Sequence, residues 1–228
     1  MTKTSKILYV SGLILAVAVL IYGFFSIRKI QAEGIKNPDE LLLTKDDLIL
    51  GYRMRDSDVF ADEIETLEEL EEASPVVLKA KISDERIMSL VSTETKINIL
   101  EIYKDETNSL EVGNTVYLIE PFSIILEETY YTSGYQMVSQ GQEYILFLNE
   151  IQAVDGYKLT KKESISFIPS TNLYSRYCIS SNEIVDTIIV NEEERQYYND
   201  YLDYSFFTED KNVVTIYKKI QEEIEKTY

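Results

Sequence analysis

The chain has 228 residues, room for one membrane segment and one domain of ordinary size, and sets 22 Lys and Arg against 40 Asp and Glu for a net charge of −18. That negative field lacks the basic footprint a phosphate backbone needs, so no nucleic-acid partner is expected. Histidine is absent and Cys178 is the only cysteine, which excludes an intrachain disulfide, Cys-rich or His-rich zinc clusters and histidine-based triads, while 45 % hydrophobic residues, among them 18 tyrosines, supply a core.

Residues 1–6 form a short tail with Lys3 and Lys6, and residues 7–27 (ILYVSGLILAVAVLIYGFFSI) contain no charge. At about 1.5 Å per residue this run reaches about 31 Å, the thickness of a hydrocarbon core, and predicts one transmembrane helix. The small-x-small Ala16-Val17-Ala18 sits mid-run with VLIYGFF still to come, so an uncleaved anchor is expected rather than a cleaved signal peptide. Arg28, Lys29, Lys36 and Lys45 follow the span, and the count of positive charges alone leans slightly towards a cytoplasmic C-terminal part.

Residues 28–65 read as a juxtamembrane linker (QAEGIKNP) and a leucine-and-charge segment without a clean assignment. Thr66 with Glu69 has the spacing of a capping box, opening a two-turn helix with Leu67, Leu70 and Ala73 on one face, stopped by Pro75. Strands follow. Residues 76–82 (VVLKAKI) put Val76, Leu78, Ala80 and Ile82 on one face and Lys79 and Lys81 on the other, and residues 87–91 and 95–103 continue the pattern.

After a turn at Gly113-Asn114 come VYLI at 116–119 and an apolar run at 122–126. Residues 127–135 turn polar and tyrosine-rich, which reads as a loop. Gln140-Gly141-Gln142 then turns into YILFL at 144–148, apolar enough for a strand covered on both faces. Asp155-Gly156 marks a further turn before SISFIP. Short strands with irregular loops and no long crossover helices predict an all-β core, an OB-like small barrel over residues 66–169 with flanking helices, preceded by the one transmembrane helix. In the extension 170–228, residues 192–204 look helical but weakly amphipathic. Val213, Tyr217, Ile220 and Ile224 recur at helical spacing, with Asp210 or Asn212 available as cap.

Chemistry is sparse. Ser26-Ile-Arg-Lys29 fits S-x-x-K only by coincidence, without companion motifs. Acidic pairs such as Glu127-Glu128 and Asp56 with Asp58 are expected among so many carboxylates, and none has EF-hand spacing; the run 192–194 is the open face of a helix. No catalytic, cofactor-binding or metal-binding residue is assigned, no cofactor is expected, and the chain is not read as an enzyme. Cys178, in LYSRYCIS, reads as a buried small hydrophobe. Tyr130, Tyr131 and Tyr135 form a candidate recognition loop, because tyrosine gives broad contact at low rotamer cost; packing at half-buried barrel edges explains the same residues.

One resemblance adds to this reading. Ile99, Ile102, Tyr103 and Lys104, then Gly113, Val116 and Leu118, then Gly141 and Tyr144 to Leu148 follow an order that resembles membrane-anchored or secreted proteins of Gram-positive bacteria. That order is also similar to the netrin-like and tissue-inhibitor-like version of the OB barrel. The chain departs from the extracellular animal domains at every structural cysteine, and Asp105 stands where a turn glycine would fall. The resemblance implies a barrel facing outward from a single-pass cell-membrane anchor, and transfers no catalytic residue. Its expected role is a non-catalytic envelope domain that binds another envelope protein. The alternatives are a carboxylate-based glycan hydrolase and a weak extracellular Ca²⁺ sensor.

Overall fold

The computed structural model describes residues 35–36, 48, 50, 63–125, 128–131, 134–188 and 196–228. The 7–27 segment, Ser26 to Lys29, Asp56, Asp58, Glu127 and the 192–194 run lie outside them. Among the described residues no helix is long and apolar enough to cross a membrane.

The elements in chain order are β1 (Ile35–Lys36), α1 (Leu67–Glu72), β2 (Val76–Met88), β3 (Thr93–Asp105), β4 (Thr115–Glu120), β5 (Phe122–Ile125), β6 (Glu128–Tyr131), β7 (Glu143–Glu150), β8 (Ser166–Pro169), β9 (Arg176–Cys178) and α2 (Lys211–Thr227). Five strands close a barrel in the order β2-β3-β4-β8-β7, with β7 returning to β2 through Val76↔Leu148 to Lys81↔Glu143. The β4–β8 seam is parallel and the other four seams are antiparallel.

Alternation decides what fills the barrel. Val76, Leu78, Ala80 and Ile82 of β2 point inward to meet Ile97, Ile99, Val116, Leu118 and Phe167. β7 shows why YILFL is apolar throughout. Tyr144, Leu146 and Leu148 fill the interior, while Ile145 and Phe147 face outward onto α1 and α2. Each such fully buried Ile, Leu or Phe stabilises the fold by roughly 1.5–3 kcal/mol.

The two helices cover that outer face. Thr66 caps α1: its Oγ1 accepts the Glu69 amide at 3.2 Å, and Glu69 Oε2 accepts the Thr66 amide at 3.1 Å, the expected capping box. Asp210 caps α2 by accepting the Asn212 amide at 2.7 Å. Helical spacing then lays Val214, Tyr217, Ile220 and Ile224 against Val77, Ile145, Phe147 and Tyr177.

Three expectations need correction. β2 runs unbroken to Met88, so 87–91 is not a separate strand; its register against β3 shifts at three places, the last between Ile82 and Arg86. These irregularities coil a hairpin of two 13-residue strands into a small barrel. Residues 128–131 are not loop but strand β6, paired antiparallel with β5. Within 192–204 the described residues are 196–204, where the one helical stretch is a 3-10 turn at Tyr198–Tyr201.

Candidate functional site

The hairpin of β2 and β3 ends in a tight turn over residues 89–92. Ser89 organises it: its amide donates to the Ser92 carbonyl at 2.8 Å, and its hydroxyl donates to the same carbonyl at 2.9 Å. Held at that tip, Leu90 is 53 % exposed and Val91 62 %, with Ile87 at 36 % just below.

The β5–β6 hairpin is locked to this tip. Ser123 Oγ donates to the Ser89 carbonyl at 2.5 Å, and Thr93 Oγ1 donates to the Phe122 carbonyl at 2.8 Å. Ser123 pairs with Tyr130 and Phe122 with Tyr131, so the backbone of two expected recognition residues is built onto the same rim. Their side chains lie outside what is described.

Tyr135 has a different place. It is buried, bridged to Phe206 by backbone pairing, and its hydroxyl donates to Glu120 Oε1 at 3.0 Å. It belongs to the core beneath the rim, among Met88, Phe122, Met137, Tyr198 and Phe207, and offers no surface to a partner. Gly134 makes this possible: its φ of +83° suits glycine, and a side chain there would run into the Phe207 carbonyl.

Under the rim lies a buried polar network that the sequence does not announce. Arg86 lies four positions beyond Ile82 on β2 while their partners Ile97 and Thr95 are two apart on β3, so the strand bulges between them and Arg86 stands on the same inner face as Ile82. Arg86 Nη2 donates to the Val138 carbonyl. Glu120 accepts from Thr95 Oγ1, Tyr135 Oη and the Val138 amide, the last at 2.8 Å. Burial pushes the Glu120 carboxyl above its ordinary value, against the opposing pull of the Arg86 charge and these hydrogen bonds. Burial and the neighbouring Glu120 also push the Tyr135 phenol up.

A buried ion pair sits where β9 meets the segment that follows it. Arg176 grips Glu183 with both nitrogens, at 3.1 and 3.2 Å, and Nη2 also donates to the Ser205 carbonyl at 2.7 Å. Tyr144 Oη donates to Glu183 Oε1 at 2.6 Å, and the guanidinium lies 5.3 Å from the Tyr144 ring centre. Beside this pair opens a cleft of about 540 Å³, lined by residues 177–183 and by Gln221, Ile224 and Glu225 of α2. Cys178 is half-buried in its wall rather than fully enclosed, its sulfur 3.1 Å from Ser181 Oγ.

Glu120 is thus held by hydrogen bonds from Thr95, Tyr135 and Val138, and Glu183 by an ion pair with Arg176. Among the described residues no group of three or more His, Cys, Asp or Glu converges as a cation site. Of the expected site residues, the structure brings the backbones of Tyr130 and Tyr131 to the rim and takes Tyr135 away from it. Sequence reasoning missed Leu90 and Val91. Their signal was two aliphatics between serines at the centre of a hairpin, hidden because 87–91 was read as a strand. Comparison with protein-family models finds no match, and comparison with curated proteins finds none.

Proposed function

We propose that the chain is a non-catalytic domain of the cell envelope, tethered by residues 7–27 with its barrel outside the membrane, that binds another envelope protein through the rim at the 89–92 turn. The observation that carries this reading is the exposure of Leu90 and Val91, at 53 and 62 %, on a turn fixed by Ser89, Ser92 and Ser123. Lone exposed aliphatics are ordinary on protein surfaces. Two adjacent ones, with Ile87 below them, on a pre-ordered tip are suited to desolvation by a partner at little entropic cost.

The OB reading is supported by the strand order: with the five barrel strands counted along the chain, they run 1-2-3-5-4 around the barrel, and the third and fifth are parallel. Support for the anchor is the length and apolarity of 7–27, and the outward orientation rests on the sequence resemblance alone. The hydrolase alternative needs two carboxylates facing across a cleft about 5 to 9.5 Å apart, and Ca²⁺ needs several converging oxygens. The two buried glutamates are instead engaged by Thr95, Tyr135 and Val138, and by Arg176 and Tyr144.

The test is affinity capture of the full-length tethered protein from its own membranes, beside the double variant Leu90→Ser, Val91→Ser. A discrete protein recovered with the natural chain and lost with the variant, at unchanged melting temperature, supports the reading. Equal recovery by both, or no specific protein with either, overturns it.

A further inference from the structure

The cleft beside β9 is a different feature from the rim, and it is bounded by a free sheet edge. Among the described residues β9 is the last strand in the sheet order and pairs only with β7. Two bonds flanking it fix which way its backbone groups point: Phe147 N donates to the Ser175 carbonyl and Ile179 N to the Glu143 carbonyl, both at 2.9 Å. In an antiparallel ladder such bonds recur at every second residue, so Tyr177 also faces β7 while Arg176 and Cys178 direct their N–H and C=O groups to the outer side.

Helix α2 closes only part of that outer side. Tyr217 Oη donates to the outward Arg176 carbonyl at 2.8 Å. One and two turns further on, Gln221, Ile224 and Glu225 stand across the 540 Å³ cleft from Cys178, Ser181 and Asn182. No hydrogen bond within the described residues reaches the Cys178 backbone from this side, and the side-chain amides of Asn182 and Gln221 and the carboxylate of Glu225 likewise have no partner there. The floor is apolar where Tyr177 and Ile224 meet, and Ile179 is exposed at its edge.

The geometry points to an extended peptide of a partner protein as the occupant, added as a strand to β9 and carrying a lysine or arginine that meets Glu225. An unpaired edge supplies a donor and an acceptor at Cys178 in the spacing of a ladder, which a peptide backbone satisfies. The two free amides supply further backbone-like partners on either wall. The sign of the peptide follows from charge: Glu183 is already neutralised by Arg176, Glu225 has no ion pair among the described residues, and the chain as a whole carries −18. The volume lies within the range of about 300–1,000 Å³ typical of built ligand sites.

The test uses the full chain in detergent micelles and a capped eight-residue peptide alternating lysine and valine, with its glutamate-for-lysine counterpart as control. Hydrogen exchange by mass spectrometry is read on the fragment covering residues 175–182. Two variants complete it. Cys178→Pro removes the outward N–H without touching the ladder to β7, a place where edge strands tolerate proline, and Glu225→Lys reverses an exposed charge. The expected result is slowed exchange of that fragment with the lysine peptide alone, with affinity at least tenfold weaker in both variants. Should Cys178→Pro prove unfolded, Glu225→Lys alone decides. No protection, equal protection by the acidic peptide, retained affinity in Glu225→Lys, or protection that grows with protein concentration in the absence of peptide each overturns the assignment.

Discussion

Replacing Tyr135 by Phe separates the two meanings a tyrosine-rich segment can have. The substitution deletes one hydroxyl and leaves the ring, which packs among Met88, Phe122, Met137 and Phe207. The lost bond is the 3.0 Å donation to Glu120 Oε1, a buried carboxylate that also accepts from Thr95 and the Val138 amide. Hydrogen bonds to a charged group contribute about 1.5–3 kcal/mol, and Glu120 keeps its other donors, so the lower half of that range is expected. For a folded unit of this size each kcal/mol lowers the melting temperature by about 2–4 °C, giving a fall of about 3 to 9 °C by circular dichroism or calorimetry. Tyr135→Ala also empties a ring-sized space and falls in the class of changes that cost about 3–5 kcal/mol. Neither substitution touches the rim, so partner capture by folded Tyr135→Phe stays at the level of the natural chain. A melting temperature within 1 °C of the natural chain, or loss of the partner by a fully folded Tyr135→Phe, would refute the placement of Tyr135 as a core residue.

Further expectations concern the same framework. The Glu120 carboxyl sits above its unfolded value, so the folded chain holds the proton more firmly; its contribution is largest below about 4.5 and declines as pH rises through the folded value. Glu120→Gln therefore has a less negative slope of stability against pH over that interval, measured by urea unfolding at a series of pH values; an unchanged slope contradicts the burial argument. Thr66→Ala removes the α1 cap and costs about 1 kcal/mol, with a local rise in amide exchange over 67–70. Ile220→Ala, beneath the centre of α2, costs about 2–5 kcal/mol in the same unfolding assay, and a loss under 1 kcal/mol would show that α2 is not part of the cooperative unit.

Most of the barrel was legible because its strands obey period two. The alternation at 76–82 and the double-sided apolar run at 144–148 appear where the pattern puts them, and of SISFIP the last four residues are strand while Ser164 and Ile165 belong to a 3-10 turn. The caps at Thr66 and Asp210 were legible for a local reason, since each side chain bonds an amide two or three residues away. The misses are where distant residues decide. β9 has only three residues and gains its identity from the edge of β7, which no local signal in RYC conveys. β6 is polar and tyrosine-rich, yet becomes strand because β5 offers it a ladder. Period two puts position 86 on the inner face, but a charged residue there reads as solvent-facing until Glu120, 34 positions away, and the Val138 carbonyl are brought beside it. The candidate rim was half legible: the segment carrying Tyr130 and Tyr131 was singled out, but Leu90 and Val91 emerge only once the hairpin is seen to turn through them, between Ser89 and Ser92.

The most direct test of the rim is photocrosslinking in the cell's own membranes, with a photoreactive residue placed at position 90 of the full chain and, separately, at position 154, which is 73 % exposed on a different loop. A discrete protein adduct from position 90 that is missing from position 154 is the predicted result. Adducts of the same pattern from both positions, or none from position 90, would contradict the proposal that this rim is where the domain meets its partner.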